Sequence, residues 1–320
     1  MVENNWYEVF LENLHDKFPK KIQLTQEIMK LLSLEHEAVY RRLRKIVQFT
    51  ASEIVQITTA WNISLDDILG INSGKVTFKM NPLNYLDPSE REFSNLQKRV
   101  RNLDHLQHSE KSEYMEVSNR LPRPLSISFQ NLYRFRIFNW AFQYNNSCTQ
   151  KEFSKIIIPE NMSREFEHYK NNMVHVKNSH YIIDQKIFEC YVYCVNYFHS
   201  LLLITKEEKE FIKKELYEML DYLMEIAQKG YYPETQNRVF IYLSQLNIDT
   251  NYSFFYTDTL KTCFIHAFGK YDISCYDTEM VSSFRHWMNL KKRAAVQISE
   301  VNERKRIEFF SKQRKLVDYL

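Results

Sequence analysis

Apolar residues recur at helical spacing in the N-terminal part of the chain. Over residues 6–18 they fall three or four positions apart, as on one face of an α-helix, at Trp6, Phe10, Leu11, Leu14 and Phe18. Pro19 ends this pattern, because a proline ring cannot continue a helix. The same spacing predicts two further short helices, over residues 25–32 and 37–46.

Two capping motifs predict where the next helices begin. Thr50 and Glu53 have the spacing of a capping box, in which each side chain accepts a hydrogen bond from the backbone N–H of the other residue. They open a fourth helix, which we extend to Trp61. Ser64 caps a fifth, which Gly70 ends. The N-terminal part is therefore expected to fold as five short helices.

The remainder of the chain is also predicted to be largely helical. Turn-forming residues over 71–87 favour a linker, and Pro88 stands at the first position of a helix that we extend to residue 116. Apolar patterns predict later helices over 128–144, 206–229, 236–246 and 292–320. Alternating β-favouring residues over 252–277 allow a small sheet of two or three strands.

These patterns predict a mainly α fold with two domains. We assign residues 1–73 to a five-helix helix-turn-helix domain, 74–87 to a linker and 88–320 to a larger helical domain that includes the small β-sheet. The presence of only 4 glycines also favours helices over a many-stranded sheet. Because no two of them form a GxGxxG or GxxxxGK motif, we exclude the glycine-rich phosphate loops.

The amino-acid composition excludes few classes of function. Hydrophobic residues make up 44% of the chain and charged residues 26%, so the chain can bury a core. A formal net charge of +3 is too small to indicate nucleic-acid binding without local clustering. The 5 cysteines are odd in number and scattered, as in a reduced intracellular protein. With no signal-peptide pattern and no membrane-spanning apolar run, we expect a cytoplasmic protein.

A helix-turn-helix spacing runs from residue 25 to residue 46. The two helices must cross closely. This requires a small residue in the middle of the first helix, a turn-compatible residue four positions later and an apolar residue six positions beyond that. Met29, Ser33 and Val39 occupy these places. They differ in type from the usual alanine and glycine, so a turn one residue longer stays open, and in that register Tyr40 turns partly inward. With Val39 and Leu43 packed, the next helix presents a basic face.

That face carries the candidate DNA contacts. We expect contacts from His36, Glu37, Tyr40, Arg41, Arg44 and Lys45, and from Thr25 and Gln26 at the start of the preceding helix. Arginine suits this role because its guanidinium group binds guanine O6 and N7, or a phosphate, through two parallel hydrogen bonds. The alternative is an ordinary solvated helix face. Residues 1–73 contain ten acidic and eight basic side chains, and this balance argues against DNA binding and for contact with another protein.

Residues 20–70 resemble the lambda-repressor-like (Xre/Cro-type) helix-turn-helix regulators, and among them a BetR-like branch. This resemblance rests on AVYRRLR over 38–44 and FTASEIVQITTAWNISLDDIL over 49–69. The second domain also resembles the helical module of that branch, in RLPRPLSISFQNLYRFRIFNW over 120–140 and ISEVNERKRIEFF over 298–310. Relative to that branch, this chain has one inserted residue in the recognition helix. The resemblance implies DNA recognition by that helix and a shared helical module in the second domain, without a known ligand.

Other groupings of reactive residues are weaker. Cys190 and Cys194 stand one helical turn apart, with His180 or His199 as further candidate metal ligands, but the second close pair of a typical zinc site is absent. Cys263 and His266 lack a third group that would orient them as nucleophile and base. We therefore expect no metal, no cofactor and no enzymatic activity. Aromatic residues over 129–144 are the place where a ligand cavity is expected.

The sequence thus predicts a DNA-binding transcriptional regulator. Its recognition helix over residues 37–46 would lie in the major groove of double-stranded DNA, and the chain would act as a homodimer. The second domain would dimerise and respond to a small-molecule or protein effector. The alternative is a helical scaffold whose helix-turn-helix contacts another protein. We expect no membrane association in either case.

Overall fold

The computed structural model describes residues 6–18, 20–61, 63–69, 76–80, 88–144, 152–267 and 271–320. Gly70 and most of the predicted linker lie outside these residues. The chain divides into two compact units, Met1–Val76 and Thr77–Leu320. Each unit is described by itself below.

The N-terminal unit is built from short helices. They are α1 Trp6–Lys17, α2 Lys21–Leu32, α3 His36–Leu43, α4 Ala51–Trp61 and α5 Leu65–Ile68. Their apolar faces meet in one core, whose fully buried members include Phe10, Leu24, Ile28, Val39 and Ile57. Helices this short are marginal alone, so burial of this shared core holds them in place.

The bounds of two helices differ from the sequence prediction. Helix α2 begins at Lys21 rather than at residue 25, and α3 ends at Leu43 rather than at residue 46. The end of α3 has a physical cause: Lys45 adopts a left-handed conformation with φ 63°. The Ile46 amide then donates back to the Arg41 carbonyl at 2.9 Å, which closes the helix in a Schellman motif.

The second unit combines helices with strands. Its helices are α6 Pro88–Gln107, α7 Arg123–Ser126, α8 Gln130–Tyr144, α9 Glu160–Val174, α10 Glu189–Ser200, α11 Lys206–Lys229, α12 Thr278–Lys291 and α13 Glu303–Asp318. Its strands are β1 Glu113–Ser118, β2 Asn178–Ile183, β3 Arg238–Ser244, β4 Tyr252–Tyr256, β5 Lys261–Ala267, β6 Tyr271–Cys275 and β7 Ala295–Gln297. Within the described residues the strands form one sheet in the order β6-β5-β4-β1-β2-β3-β7.

This mixed sheet shows that the predicted mainly α, all-helical fold class is wrong. Strands β1, β2 and β3 are parallel neighbours, while β4, β5, β6 and β7 pair antiparallel. The predicted helix over 88–116 ends at Gln107, before β1, and the predicted helix over 236–246 is strand β3. Strand β1 is buried on both faces, so its sequence lacks the alternation that marks an exposed strand.

The two faces of the sheet are covered unequally. The larger core joins side chains such as Tyr114, Tyr181 and Phe264 to α6 through α11 and to α13. The smaller core, around Met115, Phe254 and Phe284, packs the opposite face against α12. Residue Phe78 joins the smaller core, and Lys79 pairs with Ser274 in β6. Among the described helices, none has both the length and the apolarity needed to cross a membrane.

Candidate nucleic-acid interface

Helices α2 and α3 meet through a tight turn at Ser33. This residue adopts a left-handed conformation with φ 53° and ψ 42°, and the Leu34 amide donates to the Met29 carbonyl at 3.3 Å. Val39, six residues beyond the turn residue, is fully buried in the core. The structure therefore places Met29, Ser33 and Val39 as the helix-turn-helix spacing predicts, and α3 begins directly at His36.

The outward side of α3 carries an aromatic and basic surface. His36, Glu37, Tyr40, Arg41 and Arg44 are all exposed. The His36 and Tyr40 rings stack with their centroids 6.1 Å apart, and the Arg44 guanidinium group lies 4.6 Å from the centre of the Tyr40 ring. Tyr40 is 37% exposed, so its ring lies partly at the surface, between His36 and Arg44.

The cations on this surface differ in their partners. Neither Arg41 nor Arg44 forms an ion pair with any of the residues described, whereas the Lys45 ammonium group pairs with the Glu8 carboxylate. Lys45 also lies after the helix, in the left-handed closing position. Arg41 and Arg44 are therefore the cations best placed to bind an external anion.

Arg42, between them, has a structural role. Its Nε and Nη2 atoms donate to the two carboxylate oxygens of Glu53 at 3.0 and 2.9 Å, and its Nη1 donates to the Ala38 carbonyl at 3.1 Å. Glu53 also accepts from the Thr50 amide at 2.8 Å, while its own amide donates to the Thr50 hydroxyl at 3.3 Å, which confirms the predicted capping box. This network fixes α3 against the start of α4.

The two DNA contacts predicted on α2, Thr25 and Gln26, differ in their exposure to solvent. Thr25 lies in the second turn of the helix and is buried, and its hydroxyl donates to the Lys21 carbonyl at 2.9 Å. Gln26 is exposed. The first turn instead presents exposed Lys20 and Lys21 beside N–H groups that lack a side-chain cap. The sequence prediction missed both lysines because it started the helix too late.

Comparison with protein families, with curated proteins and with solved structures finds no match to this chain. The functional assignment therefore depends on the side chains themselves and on their arrangement.

Of the other candidate groupings of reactive residues, some are separated in the structure and the Cys190–Cys194 pair stays together. Cys263 and His266 lie three positions apart on β5, so their side chains point to opposite faces of the sheet. His180 lies on β2 and stacks on the Phe240 ring with centroids 4.6 Å apart. Cys190 and Cys194 remain together on α10, as free thiols. In the part of the chain that the structure describes, no cluster of three or more His, Cys, Asp or Glu side chains has the geometry of a metal site.

Proposed function

We propose that the N-terminal unit binds double-stranded DNA by placing α3 in the major groove. The observation that supports this proposal is that the three arginines of α3 and its C-cap differ in their partners and exposure. Arg42 is held by Glu53, while Arg41 and Arg44 are exposed and have no acidic partner among the residues that the structure describes. A helix of 8 residues is about 12 Å long, similar to the width of the groove it would enter.

The first turn of α2 supports the proposed placement of α3 in the major groove. In a helix-turn-helix the helix before the recognition helix crosses the phosphate backbone. Exposed Lys20 and Lys21, together with the uncapped amides and the partial positive charge at that helix end, suit a phosphate group. These contacts would position the protein, and the side chains of α3 would distinguish bases.

A single short helix buries too little surface for specific binding. Regulators of this kind generally bind as dimers on two half-sites, about one helical turn of DNA apart. We therefore propose a homodimeric transcriptional regulator of the lambda-repressor-like type, acting in the cytoplasm. The second unit would supply the dimer contact.

Replacement of Arg41 and Arg44 tests this function. Sites are first selected from a random duplex library with the full chain, and the affinity for the best site is then measured at several salt concentrations. Arg41→Ala/Arg44→Ala should lower that affinity at least about thirtyfold, because each bidentate base contact contributes about 1–3 kcal/mol. It should also reduce the slope of affinity against salt.

Lys30→Ala is the matched control. Lys30 lies on α2 of the same unit, pairs with Glu27 and has a side chain that is 72% exposed, so its replacement removes an exposed charge that is neither on α3 nor in the first turn of α2. Unchanged selectivity and affinity after the double arginine replacement would overturn the proposal.

A protein-binding scaffold is the second candidate, and one observation favours it. Ile46 and Val47, directly after α3, are 60% and 39% exposed. Exposed apolar side chains beside a recognition helix suit a protein partner as well as thymine methyl groups. Salt separates the two functions, because affinity for phosphates falls steeply between about 50 and 200 mM salt, whereas an apolar protein contact changes little.

A further inference from the structure

A partly open cavity of about 190 Å³ lies in the second unit. It is bounded by α8, by α10 and by the loop that follows β1. One part of its wall is apolar and aromatic, formed by Leu132, Phe135, Trp140, Ile187 and Tyr191. The Tyr191 hydroxyl donates to the Leu132 carbonyl at 2.6 Å, so this tyrosine presents its ring rather than its polar end to the cavity.

The topology of the sheet places this cavity at an edge where ligands commonly bind. The carboxyl ends of parallel strands β1 and β2 lead into Arg120 and Ile187, which both line it. Asn251, just before antiparallel β4, and His266, near the end of β5, reach the same edge. The strand order reverses between β1 and β4, and such reversals open a crevice at the carboxyl edge.

The other end of the cavity is charged. Arg136, Asn251 and His266 also line a smaller adjoining space of about 30 Å³, which is enclosed by Arg99, Glu116, Arg123 and Asp272. The Arg99 guanidinium and the Asp272 carboxylate form a buried ion pair at 2.8 Å, and His266 Nδ1 lies 3.2 Å from the same carboxylate. Asp272 therefore balances one guanidinium group, and the arginines of this wall outnumber the carboxylates.

Glu116 supplies the second carboxyl group of this wall. Burial raises the pKa of that group, although the Tyr114 hydroxyl bond and three nearby arginines act in the opposite direction. The Tyr114 hydroxyl lies 2.5 Å from a Glu116 carboxylate oxygen. An additional anion would meet a wall that is rich in arginine, in which Arg99 and Arg123 are buried, and charge-assisted hydrogen bonds are strong in such a place.

One buried polar atom near this wall lacks a hydrogen-bond partner among the residues described. It is the hydroxyl of Tyr169, a fully buried residue. Tyr169 is close enough to Arg99 and Arg123 for their charges to lower the pKa of its phenol, although burial raises it more. Unpaired buried polar atoms are rare and commonly mark a place for water or a ligand.

We propose that this cavity binds a small aromatic carboxylate. Its ring would pack among Phe135, Trp140 and Tyr191, and its carboxylate would face Arg136, Asn251 and His266. The size fits, because a dry cavity of about 150 Å³ accommodates benzene and this one is slightly larger. The site lies wholly in the second unit, so it goes beyond DNA binding and does not depend on it.

Binding of phenylacetate and of its neutral analogue phenylacetamide to the full chain tests this site. Calorimetry or a thermal shift should show the acid binding at least about tenfold more tightly than the amide, because a charge-assisted bond to arginine is lost in the amide. Hexanoate, which has a flexible acyl chain of similar size, should bind more weakly than phenylacetate. Equal binding of acid and amide, tighter binding of hexanoate, or no binding of phenylacetate would each overturn the proposal.

Variants locate the bound acid. Arg136→Gln should abolish the preference for acid over amide, whereas Asn139→Trp, one turn later on α8, should fill the cavity and weaken both ligands. Arg164→Gln is the control, because Arg164 is exposed on α9 and does not line the cavity, so its replacement removes the same charge elsewhere in the unit. Melting of each unliganded variant checks its fold. An unchanged preference in a folded Arg136→Gln protein would overturn the assigned carboxylate position.

Discussion

Arg42 and Glu53 form a bidentate ion pair that joins α3 to α4. Their side chains are 15% and 14% exposed, so the pair is largely shielded from water. Glu53 simultaneously caps α4 through the Thr50 amide. One carboxylate thus sets the start of α4 and the position of α3, which keeps Arg41 and Arg44 on the outer side.

Removal of either partner of this pair should destabilise the N-terminal unit. Arg42→Ala leaves the Glu53 carboxylate shielded and without its guanidinium partner, so we expect a loss of about 1.5–3 kcal/mol in the free energy of unfolding. Urea unfolding of both single variants and of the double variant measures the coupling. A sum of single effects equal to the double effect would show that the pair contributes no interaction energy.

The same pair predicts a pH dependence. Burial raises the pKa of Glu53, but the hydrogen bonds from Arg42 and Thr50 outweigh it and the pKa is lowered from 4.5. A carboxyl group with a lowered folded-state pKa stabilises the protein above its unfolded-state pKa, and this stability is lost as the pH falls through the folded value. Glu53→Gln should therefore reduce stability at neutral pH and flatten its decline below about pH 4.5. Parallel declines in the two proteins would contradict this assignment.

The left-handed turn residue Ser33 predicts a stabilising replacement. At φ 53° a side chain with a Cβ atom is strained, by about 1–2 kcal/mol for most residues, whereas glycine is not. Ser33→Gly should raise the melting temperature, and Ser33→Val should lower it. Ser52→Gly is the control, because Ser52 lies within α4, where glycine should destabilise. A decrease in stability for both glycine variants would refute the conformational argument.

Gly230 ends α11 under a double constraint. Its φ is 75°, and a Cβ atom there would lie 2.2 Å from Cγ of Glu300. Gly230→Ala should therefore destabilise the second unit by about 1–3 kcal/mol. Glu300→Ala removes the contact but leaves the backbone strain, so the double variant should recover part of the loss. Full recovery, measured by thermal unfolding, would show that the left-handed conformation is not a constraint.

Cys190 should react as a thiolate near neutral pH. A hydrogen bond from the Cys194 thiol lowers the pKa of Cys190 to about 6, burial opposes this, and Arg120 assists it. Alkylation of Cys190 by iodoacetamide should thus be half-maximal near that pH. Cys194→Ala removes the donor and should move the midpoint toward the ordinary thiol value. Buried Cys263 and Cys275 should stay unmodified in the folded protein. An unchanged midpoint in Cys194→Ala would exclude the thiol–thiol hydrogen bond as the cause.

The N-terminal unit shows which structural features short-range sequence signals can predict. The Thr50–Glu53 capping box and the turn at Ser33, between Met29 and Val39, each depend on a short segment of the chain. The structure contains both. The pattern left Arg42 out of the outward face of α3, but it did not reveal the partner of Arg42, because Glu53 lies in another helix. Nor did it reveal that α2 begins at Lys21, since exposed residues in a first turn carry no apolar signal.

The second unit shows the opposite case. Strands β4 to β6 occupy the segment in which alternation allowed a small sheet. Strands β1 and β2 were missed because they are buried on most positions, and their sequences lack a period of two. Parallel pairing of Glu113 with Asn178 joins residues far apart in sequence, which no local pattern encodes.

The sequence by itself therefore determined the presence of the short helices, the Thr50–Glu53 cap and the basic face around Arg41 and Arg44, because these depend on residues within one or two helical turns. Tertiary structure alone decided that the second unit contains a mixed sheet, and that Arg136 of α8, Asn251 and His266 meet at one cavity. The physical reason is that strand pairing and cavity walls bring together residues from distant segments.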